Sequence, residues 1–75
     1  MEAETDGRFR SRVPADYPEA LGYIHQFGLP VELEAAFVLG GWRKTATNEQ
    51  ELEKFMEEGQ SLSPVGEVRL LWKIA

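Results

Sequence analysis

Residues 31–46, VELEAAFVLGGWRKTA, decide the fold. Intrinsic propensity favours a helix through Glu32, Leu33, Glu34, Ala35 and Ala36. The alternation favours a strand, with Val31, Leu33, Ala35, Phe37 and Leu39 on one face and Glu32, Glu34, Ala36 and Val38 on the other. Gly40-Gly41 would fill the two central positions of a type I′ turn, both of which need positive φ. The reading taken is a hairpin, with Trp42 opposite Leu39 and Arg43 opposite Val38. A helix over residues 31–39, capped by Gly40, is the rival, and it would dismantle the sheet on which the charge layout below rests.

Downstream, residues 47–59 carry a helical pattern. Thr47 is the expected cap, Gln50 completes the capping box, Gly59 ends the helix, and Leu52, Phe55 and Met56 form its buried stripe. Residues 60–66 read as a loop. Residues 67–75 read as a strand with Val68, Leu70, Trp72 and Ile74 on one face and Arg69, Leu71 and Lys73 on the other.

Upstream, residues 16–28 form another helical pattern. Asp16 and Glu19 have capping-box spacing, Pro18 sits in the first turn, and Gly28 suits a left-handed stop. Ala20, Ile24 and Phe27 make its apolar stripe, widened by Tyr17, Leu21 and Tyr23. Before it, Arg8, Arg10 and Arg12 alternate with Phe9, Ser11 and Val13 as in a half-buried strand that Pro14 ends.

The order strand, helix, strand, strand, helix, strand defines an α+β domain of ferredoxin-like βαββαβ type, one four-stranded antiparallel sheet with two helices on one face. That arrangement places the first and third strands centrally, the fourth beside the first and the second at the other edge. Residues 1–7 are expected to be a flexible acidic tail and residues 8–75 a single small domain.

The chain has 75 residues, thirteen acidic and eight basic, and a net charge of −5. A domain of this size buries only about 60–65 % of its unfolded surface, so its core is modest. It has no cysteine, and hence neither disulfides nor thiolate metal sites. No apolar run is long enough to span a bilayer, and the acidic start, MEAETDG, lacks the pattern of a secretory signal. A cytoplasmic protein with no membrane association is the expectation.

Inward placement of Phe9, Val13, Leu33, Phe37, Leu39, Trp42, Leu70 and Trp72 would leave Arg8, Arg10, Arg12, Arg43, Arg69 and Lys73, six of the eight basic residues, on one open sheet face. The helical side would be acidic, with Glu49, Glu53 and Glu57 recurring every four residues and Glu51, Glu58, Asp16 and Glu19 nearby.

The basic face has three readings: solvated arginines paired across strands, a phosphate-backbone site, or a docking surface for a protein or a second copy. The inward parity of the aromatics argues against base stacking, so nucleic-acid binding would be backbone-led and salt-sensitive. The acidic helix is either a solvated face or a row of carboxylates about 6 Å apart that imitates successive phosphates. Small acidic proteins that act in the second way include phage-encoded inhibitors of bacterial defence, anti-CRISPR proteins among them.

Catalysis is not expected. His25 is the single histidine and lies beside an apolar stripe, and Ser61 and Ser63 have no identifiable base. Gly40-Gly41 matches neither phosphate-binding glycine fingerprint. The sequence therefore points to a non-enzymatic inhibitor or regulator without cofactor or metal. Its contact surface would be Glu49, Glu53 and Glu57, and its target a nucleic-acid-handling complex. The alternatives are a nucleic-acid binder using the arginine face, or a structural or dimerising subunit of a larger complex whose Leu71 lies in the contact.

Overall fold

The computed structural model describes residues 3–4 and 9–73. The elements are β1 (Ala3–Glu4), β2 (Phe9–Arg12), α1 (Tyr17–Phe27), β3 (Val31–Ala35), β4 (Arg43–Ala46), α2 (Glu49–Leu62) and β5 (Val68–Lys73). All neighbouring strands are antiparallel, in the order β1-β2-β5-β3-β4. The expected α+β class and βαββαβ element order are present, and the rival helix over residues 31–39 is absent. Two-residue β1 is an addition, within the segment expected to be a tail: Ala3 pairs with Ser11 and Glu4 with Arg10.

The order of the four longer strands differs from the expectation. The pairs β2·β5 and β3·β4 are the expected outer pairs, but they are joined through β3·β5 and not through β2·β4. The second and fourth of the longer strands, β3 and β5, are therefore the central ones. Burial gives the reason. Val31, Leu33 and Ala35 of β3, and Val68, Leu70 and Trp72 of β5, are all buried, whereas β4 supplies only Ala46. The two most apolar strands take the centre, where helices cover them best.

Both helices cover one face of this sheet. Ala20 and Ile24 of α1, Leu52 and Met56 of α2, Val31 and Leu33 of β3, Ala46 of β4, and Val68, Leu70 and Trp72 of β5 form one core cluster. Its edges are closed by Tyr17, Leu21, Tyr23, Phe27, Trp42 and Phe55.

Local chemistry sets the helix ends. Asp16 caps α1, accepting from the Glu19 N–H at 3.0 Å, while Glu19 accepts from the Ala15 N–H at 2.9 Å. Gly28 ends α1 at φ 87°, its N–H donating to the Ile24 carbonyl at 2.7 Å. The expected cap of α2 is displaced by one residue. Asn48, not Thr47, is the N-cap, and it accepts from the Glu51 N–H at 2.8 Å. Glu51 replaces Gln50 as the reciprocal partner, accepting from both the backbone N–H and the hydroxyl of Thr47. These bonds from Thr47 hold the Glu51 carboxyl below the ordinary carboxylate range.

Gly59 does not end α2, which continues to Leu62. It is buried because the helix lies close against Val68 and Trp42 there. The ring of Trp42 covers this contact, and its indole N–H donates to Glu58 at 3.0 Å.

The deciding stretch departs from a tight hairpin. β3 stops at Ala35, and Glu34 pairs with Arg43. One further bond, from the Ala35 N–H to the Trp42 carbonyl at 3.1 Å, continues the pairing, and residues 36–41 then form a loop. The Ala36 N–H turns aside to the Glu67 carbonyl at 2.9 Å, and Phe37 adopts a left-handed φ of 60°. The closing hydrogen bond of the turn runs from the Gly41 N–H to the Val38 carbonyl, so Gly40, at φ 81°, occupies its third position. A positive φ is what a type II turn needs there. Phe37 and Leu39, expected inside, are 78 % and 101 % exposed.

Candidate functional site

The arginines of β2 face the opposite way from the expectation. Arg10 lies directly opposite Trp72, and Arg12 opposite Leu70, so both project to the helical side. Opposed residues on paired strands share a face, and a slip of one residue reverses every side chain. The Arg10 guanidinium sits 4.7 Å from the Phe27 ring centre. Arg12 sits 5.0 Å from Phe27 and 5.9 Å from Tyr23, and its Nη1 donates to the Ser11 carbonyl at 2.9 Å. β2 lies beyond the ridge of α1, where a long stem can cover apolar surface and still carry its charge to the rim. Each cation–π contact is worth about 0.5–1 kcal/mol at such a site. Behind them, Phe27 packs on Trp72 at 5.1 Å, and the Trp72 indole donates to the Gly28 carbonyl at 2.9 Å. The two arginines thus close one margin of the core.

Phe9 and Ser11 take the open face in their place, beside Lys73 and Leu71. Phe9, Leu71 and Lys73, with Pro30 and Thr45, border a shallow depression of about 340 Å³. Leu71 is only 6 % exposed, so it does not offer the docking contact expected of it.

Arg43 and Arg69 do reach the open face, but among carboxylates. Arg43 donates to Glu34 at 2.8 Å and lies 3.5 Å from Glu32, and Arg69 lies 4.0 Å from Glu34. The hydrogen bond to Glu34, with the charge of Glu32, raises the already high pKa of Arg43. These half-exposed pairs contribute well under about 1 kcal/mol each, yet they cancel local charge. Lys73 is exposed on this face, and Arg8 lies outside the described residues, as does Ile74. The six expected basic residues therefore do not form one patch: two clamp α1, two sit in a mixed-sign ladder and Lys73 stands apart.

The acidic row is formed. Glu49, Glu53 and Glu57 are all exposed on α2. His25 Nε2 lies 3.9 Å from Glu49, and the Tyr17 hydroxyl donates to the Glu49 carbonyl at 3.2 Å. Desolvation, aided by the negative charge of Glu53 and Glu49, raises the pKa of Tyr17.

Sequence reasoning missed the end of the sheet. The Ala35–Val68 and Arg12–Leu70 pairs bring the loop after β3, the loop before β5 and the exit of β2 to the same end. Phe37, Leu39, Leu62, Val65 and Val13 gather there, and each is about half exposed or more. An open depression of about 610 Å³, lined by Ala35, Ala36, Phe37, Trp42, Glu67 and Arg69 among others, opens beside the loop after β3, and of the five apolar residues Phe37 lines it. A phenylalanine at left-handed φ costs roughly 1–2 kcal/mol relative to ordinary backbone, and retained strain of this kind is commoner at functional surfaces. The available signal was Phe37-Val38-Leu39 itself: a run of apolar residues beside Gly40-Gly41, extending past the reach of the helices.

Among the described residues, no helix is long and apolar enough to cross a membrane, and no group of three or more His, Cys, Asp or Glu side chains could hold a metal ion.

No family model matches the chain, and no solved structure matches it. A stretch of 67 residues, 88 % of the chain, is 31 % identical to part of a carbamoyl phosphate synthase large chain from Clostridium acetobutylicum. The match spans 6 % of that protein's length.

Proposed function

We propose that the protein is a non-enzymatic regulator that occupies a surface of a partner protein through the Glu49, Glu53 and Glu57 face of α2. The target is a cationic groove in a nucleic-acid-handling complex, the mode of action of phage-encoded anti-defence proteins. The exposed acidic row on one rigid helix carries this reading. Its support is strengthened by where the arginines go. Arg10 and Arg12 are stacked on α1, and Arg43 and Arg69 lie beside Glu34, so among the described residues these arginines form no broad basic surface to offset the acids. Direct binding to a nucleic-acid backbone, which needs such a surface, is correspondingly disfavoured.

The likeness to a short stretch of a much longer synthase chain favours a second reading, a structural subunit of a larger complex. In a chain of that length the matching stretch is flanked by other polypeptide.

One experiment separates the two: affinity capture from the native host with the wild-type chain and with the Glu49→Lys/Glu53→Lys/Glu57→Lys variant. Under the first reading the wild type enriches a nucleic-acid-processing complex and the variant loses it by tenfold or more, about 1.4 kcal/mol. Equal capture of one large assembly by both chains would contradict that reading and support the subunit role.

A further inference from the structure

We infer that two copies of this chain associate end to end through the apolar end of the sheet. This does not rest on the acidic-face function: the row begins with Glu49 at the opposite end of the sheet, after the Val31–Ala46 pair, and the apolar residues of the interface are not part of it.

The surface is the one formed by residues 36–42, the loop before β5, the end of α2 and the exit of β2. Of the six large apolar residues that are exposed among the described residues, five lie here: Val13, Phe37, Leu39, Leu62 and Val65. Leu29 alone is at the other end, preceding β3. Chance scatter over a small domain would not sort them so. Isolated exposed apolar side chains are unremarkable, but five of six collected at one end of a small domain point to a contact surface.

Three features point to a second copy as the occupant. First, the end offers both an open hollow and exposed apolar groups: Phe37 forms part of the wall of the hollow with Ala35, Ala36 and Trp42, and Leu39 of the same loop is fully exposed, so a two-fold axis would let the loop of each copy cover the hollow of the other. Second, the rim carries both signs, with Arg43 and Arg69 near Glu34 and Glu67, so identical rims can meet without net repulsion. Third, the size suffices. The five side chains expose roughly 500–600 Å² per copy, and their mutual burial alone comes to about 1,000–1,200 Å², the lower bound of a specific interface.

The left-handed φ of Phe37 also supplies a clean variant. Glycine adopts that conformation freely, so Phe37→Gly removes the ring without disturbing the loop. Leu39 is fully exposed, so Leu39→Ser leaves the fold intact.

Sedimentation of the full chain over a concentration series tests the inference, with circular dichroism to confirm folding. The wild type should pass from monomer to twice that mass as concentration rises. Phe37→Gly and Leu39→Ser should each weaken association about tenfold or more, while Leu29→Ser, at the far end, should leave it unchanged. A wild type that stays monomeric up to about 1 mM overturns the inference. So does a Leu29→Ser effect as large as that of Leu39→Ser, which would mean general adhesiveness, not a defined interface.

Discussion

Leu33→Ala should lower folding stability by about 3 kcal/mol, within the range of roughly 2–5 kcal/mol for buried leucine truncation. Leu33 has no exposed surface and sits on central strand β3, directly opposite Leu70 on β5. Its neighbours in the core include Leu52 and Met56 of α2. The strand fixes its backbone, so the surrounding sheet has little freedom to collapse into the space. A domain of this size commands only about 4–11 kcal/mol in total, so the variant should keep about 1–8 kcal/mol. Urea unfolding followed by circular dichroism gives the value. A loss below about 1 kcal/mol would mean that the packing around Leu33 is far looser than described.

Gly59→Leu should cost about as much, for the opposite reason. A Cβ at this position would lie 2.8 Å from Val68 Cγ2 and 3.0 Å from Trp42 Cζ3. Val68 is fully buried and cannot swing away. Alanine would gain about 1 kcal/mol of helix propensity over glycine, against an overpacking cost of about 1–3 kcal/mol. Gly59→Ala should therefore be mildly destabilising, and Gly59→Leu should lose about 3 kcal/mol by adding three carbons to the same clash. Gly22 of α1 is the internal control. Nothing lies within 4 Å of a Cβ there, so Gly22→Ala should stabilise by up to about 1 kcal/mol. Thermal unfolding of the three variants separates the terms, and a Gly59→Leu protein as stable as wild type would rule out the close approach of α2 to β5.

The helices were legible because their signals are local. Asp16 and Glu19 meet as their spacing requires, Gly28 takes the positive φ expected of it, and the i, i+4 spacing of Glu49, Glu53 and Glu57 puts them on one exposed face. The displaced cap of α2 is a smaller case of the same rule, since Thr47 and Asn48 are both good caps and only the backbone geometry selects Asn48.

Strand order was not legible, because both orders retain the pairs β2·β5 and β3·β4 and bury the same alternating residues. Only the comparison of whole strands as central or marginal distinguishes them. Residues 36–42 misled for a related reason. Alternation persists through Phe37 and Leu39, but it says nothing about where helical cover ends, and here it ends at Ala35.

The parity of β2 was the costliest error. A strand of four residues with arginine on one face and Phe9 and Ser11 on the other reads equally well in either sense, because an arginine stem packs on aromatic rings as readily as Phe9 packs on Leu71. The outcome depends on Tyr23 and Phe27, more than ten residues away, presenting rings to the guanidinium groups. That single inversion removes the basic face and leaves α2 as the main charged surface.

Nuclear Overhauser contacts of β2 in the isotope-labelled protein address this point most directly. The expected result is a set of contacts from the Arg10 and Arg12 side chains to the Phe27 ring, with Phe9 contacting the Leu71 methyl groups. Contacts from Arg10 or Arg12 to Leu71, with Phe9 turned toward Phe27, would restore the basic sheet face and contradict the charge layout on which the proposed function rests.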